Sequence, residues 1–134
     1  MNVPFVVAGC IAVLAAVIHG AGGEFLVVRK LSTETLPPTR FGGPRATKAM
    51  IHVTWHLATV AFLSAGIALL LSGSVLDGDA ARGVAVAAAA AFTGFAAVAL
   101  GVGAAENKSA RAFLRHPGPL VIALTAALAW WGAV

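Results

Sequence analysis

Four long apolar runs constrain this chain more than any other feature of its sequence. They cover residues 3–28, 49–71, 83–105 and 117–134, and connections rich in charge, glycine or proline separate them. An α-helix needs about 20 apolar residues, within a range of about 17–25, to cross the hydrocarbon core of a bilayer. The first three runs reach that length, and the fourth reaches it only with Pro117 and Pro119 in its first turn, where proline is tolerated. The sequence therefore predicts an all-α fold, an integral membrane bundle of four transmembrane helices in one domain over residues 1–134.

The composition excludes a water-soluble globular fold. Apolar residues make up 60% of the chain and charged residues only 10%, whereas soluble domains contain about 45–50% and about 25%. Because such a chain has too little polar surface to cover a globule in water, the lipid bilayer is its predicted environment. The first run lacks a basic leading segment and is longer than the apolar part of a secretory signal, so we expect a retained helix.

The distribution of lysine and arginine predicts an orientation in the membrane. The connection 29–48 carries five of these residues and the connection 106–116 carries three, whereas 72–82 carries only Arg82 and 1–28 carries none. Basic loops stay in the cytoplasm, which places both termini outside in a multi-pass protein of the inner (cytoplasmic) membrane. Trp130 and Trp131 then lie at the outer interface, where aromatic residues are enriched. The net charge of +4 therefore indicates topology and contact with anionic lipid, and the absence of basic segments interleaved with aromatic residues argues against nucleic-acid binding.

Four ionisable side chains lie inside the first two apolar runs. His19 and Glu24 belong to the first run, and His52 and His56 belong to the second. An Asp, Lys or Arg at the centre of a membrane helix costs about 2.5–3.5 kcal/mol on insertion scales, so ionisable residues there are functional candidates by default. Counted at about 1.5 Å per residue from the basic residues that bound each run, His19 and His56 share one depth and Glu24 and His52 share another. Antiparallel neighbours would therefore pair His19 with His56 and Glu24 with His52.

Helix geometry raises an objection to this pairing. His52 and His56 are about 40° apart around a regular α-helix and share a face, but His19 and Glu24, five residues apart, are separated by about 140°. Both cannot face the second helix if the first is regular. Either the glycines at positions 20, 22 and 23 permit a kink or bulge, or Glu24 faces another helix.

Three interpretations of these four residues stay open. They could bind a transition metal ion, or His19 and His56 could ligate a haem between two helices. Because histidine titrates near neutral pH, a His–Glu chain could instead handle protons or cations in a small transporter or channel. Finally, the side chains could only hydrogen-bond one another and hold the helices in register, as in an accessory subunit, a homo-oligomer or part of a larger membrane complex.

Two further residues are outlying candidates for the site. Trp55 flanks the second pair, where packing or interfacial contact is the simpler explanation, and His116 lies at the predicted membrane boundary, where it can cap a helix.

The single Cys10 excludes an intrachain disulfide. The sequence has no nucleophile elbow and no glycine-rich phosphate loop, so the usual enzyme classes find no support. The pattern HGxxGE followed by HxxWH resembles small four-helix inner-membrane proteins of bacteria, a resemblance that implies no particular activity.

Overall fold

A computed structural model describes residues 1–40, 42–106 and 116–134, and these ranges are helical apart from their turns and bends. They contain no β-strand, only an isolated bridge between Thr39 and Gly42. The helical elements are α1 (Val3–Val17), a π-helical segment (Ile18–Gly22), α2 (Gly23–Leu26), a 3₁₀ turn (Val28–Lys30), α3 (Pro44–Ser74), α4 (Gly78–Glu106) and α5 (Gly118–Ala133). The elements from Val3 to Lys30 form one apolar rod, which we call the first span. The prediction of an all-α fold is confirmed for the described residues.

The helices extend beyond the predicted apolar runs. Helix α3 begins at Pro44 rather than at residue 49 and ends at Ser74 rather than at 71, and α4 begins at Gly78 rather than at 83. Polar and basic residues therefore continue the helices past their apolar parts. Proline lies in the first turn of α3 and of α5, where its missing N–H costs no helical hydrogen bond. Most of the basic connection 106–116 lies outside the described residues.

The helices pack as a ring in which each contacts the next. The main contacts are α1 with α3, α3 with α4, α4 with α5, and α5 with α1. The end of the ring where the chain starts is tied together by Asn2, whose side chain accepts a hydrogen bond from the Phe5 N–H and caps α1. Asn2 also donates to the carbonyl of Gly73 through its backbone, at 2.9 Å, and to that of Gly132 through its amide, at 2.8 Å. One residue thus joins the ends of α1, α3 and α5.

Small residues fill the interior of the bundle. Alanine dominates the buried core, and the large side chains that join it are Phe5, Leu69 and Phe92. Helices α1 and α3 approach most closely where a glycine faces the neighbouring helix: a Cβ on Gly9 would lie 2.7 Å from Leu70 Cγ and 2.9 Å from the Gly66 carbonyl oxygen. Small residues at such contacts let helix backbones pack closely in lipid.

Large apolar side chains cover the outside of the bundle. Leu14, Ile18, Leu57, Val60 and Val98 are each about three-fifths exposed or more, which is the reverse of the arrangement in a soluble protein. Three helices are long and apolar enough to cross a membrane, namely Val3–Lys30, Pro44–Ser74 and Gly78–Ala105, and the helix Gly118–Ala133 is apolar but shorter. These features are those of a membrane protein.

Candidate metal site

A carboxylate and two imidazoles meet where the first span packs against α3. Glu24 Oε2 lies 3.1 Å from His52 Nε2 and 3.2 Å from His56 Nε2. The other carboxylate oxygen, Oε1, accepts a hydrogen bond from Arg29 Nε at 3.1 Å. The Glu24 side chain is 16% exposed, whereas the side chains of His52 and His56 are 48% and 43% exposed. We call Glu24, His52 and His56 the Glu–His group.

The π-helical segment explains how His19 and Glu24, which would be about 140° apart on a regular α-helix, can both face α3. In a π-helical turn the backbone hydrogen bond spans five residues instead of four, so residues five apart return to a similar face. The segment Ile18–Gly22 lies directly between α1 and Glu24, and it lets both His19 and Glu24 face α3. On α3, which is a regular α-helix, His52 and His56 share a face because they are four residues apart. Of the two alternatives that the sequence left open, the structure shows the bulge at the glycines.

His19 has different partners, one turn farther along α3. Its Nδ1 is hydrogen-bonded to Thr59 Oγ1 at 2.9 Å, and the same hydroxyl lies 3.1 Å from the carbonyl oxygen of Trp55. This contact joins the first span to α3. The His19 ring also stacks on the indole of Trp55, with centroids 4.5 Å apart and planes 9° apart, and meets Phe62 edge-on.

The structure brings three of the four predicted site residues together. The ligand atoms of Glu24, His52 and His56 lie within 4.8 Å of one another. Among the described residues, these three form the group that could hold a metal ion. His19 is not part of it. Of the two pairs predicted from depth, Glu24 and His52 are in contact as expected, and Glu24 contacts His56 as well. His19, which was paired with His56, is hydrogen-bonded to Thr59 instead.

The outlying candidates lie in two different places. Trp55 packs between the first span and α3, and its Nε1 donates to the His19 carbonyl at 2.9 Å. His116 is exposed ahead of α5, where its Nδ1 accepts a hydrogen bond from the Gly118 N–H at 3.2 Å. Neither residue joins the Glu–His group.

Sequence reasoning did not single out two residues of this region that contact the predicted site residues. Thr59 follows His52 and His56 at spacings of seven and three residues, so the same face of α3 could have suggested it. Arg29 served only as the boundary of the first apolar run, and its side chain proves to be 62% exposed and bound to Glu24.

The geometry of the Glu–His group suits a small divalent metal ion. Two ligands that each lie about 2.0–2.1 Å from a tetrahedral zinc ion are about 3.3 Å from each other, close to the observed 3.1 and 3.2 Å. The Arg29 contact resembles the outer hydrogen bonds that orient metal-binding carboxylates. The His56 contact also has the geometry of a hydrogen bond to the carboxylate, so the arrangement is compatible with a shared proton as well as with a metal ion.

Comparison with known protein families, curated proteins and solved structures finds no match for this chain.

Proposed function

We propose that this chain is an integral membrane protein of the bacterial inner-membrane type, a four-helix transmembrane bundle with both termini outside. The small-residue interior and the exposed large apolar side chains support insertion in lipid. The orientation is supported by the basic residues of the connections 29–48 and 106–116. In this orientation the Glu–His group lies in the cytoplasmic half of the bilayer, close to the headgroups.

We propose further that the Glu–His group binds a divalent transition metal ion. The observation that carries this proposal is the convergence of two imidazole nitrogens, from His52 and His56, on one carboxylate oxygen of Glu24. Nitrogen and carboxylate oxygen are ordinary zinc ligands, and a set of three protein ligands leaves a fourth position for water or another ligand. Both imidazoles are nearly half exposed, and the proposed position close to the headgroups would let an ion approach them from the cytoplasmic interface.

The surroundings of His19 favour a metal ion over a haem. A haem held by His19 and His56 would need space for the macrocycle between their rings. One nitrogen of His19 is bonded to Thr59, its ring face is covered by Trp55, and Phe62 packs against its edge. These contacts fill the space that a haem would need beside His19.

A zinc titration of the purified full-length protein tests this proposal. The protein is stripped with a chelator in detergent, and zinc affinity is measured by competition with a fluorescent zinc indicator. The variants Glu24→Gln, His52→Ala and His56→Ala each remove one ligand, and His116→Ala removes an exposed histidine outside the group. Since loss of an outer-sphere partner alone weakens metal binding about 10–100-fold, we expect each ligand variant to lose at least that much. His116→Ala should bind zinc as the native chain does.

The other interpretations predict different outcomes of the same experiment. If the group is proton-linked, the protein binds no zinc, but its stability changes between about pH 5 and pH 8 and Glu24→Gln abolishes that change. If the group only holds helices together, the protein binds no zinc and its stability is insensitive to pH in that range. Either result would overturn the metal proposal.

A further inference from the structure

The π-helical segment that turns Glu24 toward α3 contains little that could stabilise it from within. Three of the six residues from His19 to Glu24 are glycine, namely Gly20, Gly22 and Gly23, and each glycine weakens a helix by about 0.5–1 kcal/mol relative to alanine. A π-helical turn is also rare and interrupts the regular ladder of backbone hydrogen bonds. The segment therefore depends on contacts from outside the first span.

Trp55 supplies such a contact near both ends of the segment. Its Nε1 donates to the His19 carbonyl at 2.9 Å, and its ring stacks on the His19 imidazole. At the other end of the segment, the indole lies so close to Gly23 that a Cβ added there would overlap the ring. Trp55 thus touches the first span at His19, immediately before the glycines, and at Gly23, the last of them, and it is the direct chain neighbour of His56.

We infer that Trp55 is a positioning residue of the proposed metal site: it holds the π-helical segment in the register that presents Glu24 to His52 and His56. This inference rests on the proposed function. If the segment returns to a regular α-helix without moving α1, a residue beyond it turns by about 100° for each residue of register. Glu24 would then leave the face that packs against α3, and the two imidazoles would lose their carboxylate.

Two variants of the full-length chain disturb the contact in different ways. Trp55→Phe keeps an aromatic ring beside His19 and Gly23 but removes the donor to the His19 carbonyl. Gly23→Ala adds a methyl group that the indole must move to accommodate. The matched control is Gly22→Ala, because a Cβ at Gly22 would meet only Ile18 Cγ2, at 3.9 Å.

The first readout is zinc affinity. We expect Trp55→Phe and Gly23→Ala to weaken zinc binding about 10–100-fold, as loss of other outer-sphere partners does, while Gly22→Ala leaves it unchanged. Because Trp55 acts through Glu24, Trp55→Phe should weaken zinc binding no further in a Glu24→Gln background. A general loss of folding would instead add to the effect of Glu24→Gln, and that additive result would contradict a positioning role.

The second readout needs no metal. In a Cys10→Ala background, the pair Glu24→Cys and His56→Cys should form a disulfide quickly, and adding Trp55→Phe or Gly23→Ala should slow its formation. If the native chain binds zinc and neither variant weakens binding, the inference is wrong and the proposed function stands. If the native chain binds no zinc, the proposed function fails, and the disulfide rates alone decide the inference. Equal rates with and without Trp55→Phe would overturn it.

Discussion

At the residue scale, the carboxylate of Glu24 has a partner for each oxygen. Oε2 contacts both imidazoles, and Oε1 accepts a hydrogen bond from Arg29. The guanidinium of Arg29 therefore compensates the negative charge of Glu24 near the end of the first span. The sequence predicted Glu24, His52 and His56 because ionisable residues are rare in apolar helices. It could not separate His19 from them, because the separation depends on a hydroxyl, that of Thr59, whose importance appears only when the helices are packed.

The separation of His19 from the Glu–His group leads to a first prediction. Thr59→Val keeps the shape of the side chain and removes the hydroxyl that is hydrogen-bonded to His19 Nδ1. Interhelical hydrogen bonds in membranes contribute about 0.6 kcal/mol on average, so the free energy of unfolding should fall by about that amount. Zinc affinity should not change, because His19 is not a ligand.

Equilibrium unfolding in mixed detergent micelles and zinc titration of Thr59→Val check these two outcomes. His116→Ala serves as the control for the loss of an imidazole contact at the surface. If Thr59→Val loses zinc while its fold is retained, His19 belongs to the metal site after all, as the sequence alone had suggested.

At the element scale, four helices and the pairing of the first two could be predicted from the sequence, because apolar length and helical rise are simple geometric quantities. The depth estimate also brought Glu24 and His52 to one level, where the structure has them in contact. The π-helical segment could be named only as one of two possibilities. Whether a glycine-rich stretch bulges or stays regular depends on the side chains that pack on it, and here Trp55 contacts it at both His19 and Gly23.

The close contact of α1 with α3 leads to a second prediction. Gly9→Ala places a methyl group against Leu70 and the Gly66 carbonyl, and overpacking of this kind destabilises proteins by about 1–3 kcal/mol. Gly94→Ala is the matched control, since nothing lies within 4 Å of a Cβ at Gly94. Alanine favours a helix by about 0.5–1 kcal/mol over glycine, so Gly94→Ala should be neutral or slightly stabilising.

Unfolding of the two alanine variants in the same micelles gives the comparison directly. Equal stability of Gly9→Ala and Gly94→Ala would mean that α1 and α3 are not in close contact at Gly9. The packing of the first span against α3, which brings Glu24 to His52 and His56, would then be wrong.

At the scale of the whole molecule, orientation would decide which side of the membrane supplies the proposed metal ion. The basic connections predict a cytoplasmic loop between the first span and α3 and an external C-terminus. A topology reporter inserted at Thr39 should therefore report the cytoplasm, and one fused after Val134 should report the outside. A cytoplasmic signal from the fusion after Val134 would reverse the orientation and place the Glu–His group in the outer half of the bilayer.

X-ray absorption at the zinc edge, on the intact chain loaded with one equivalent of zinc, shows directly whether Glu24, His52 and His56 bind the ion. We expect a first shell of nitrogen and oxygen at about 2.0–2.1 Å, without sulfur, and outer scattering from two imidazoles. In His56→Ala that scattering should fall to one imidazole, and in His116→Ala it should be unchanged. A spectrum without imidazole scattering, or one that His56→Ala leaves unaltered, would contradict the assignment of Glu24, His52 and His56 as a metal site.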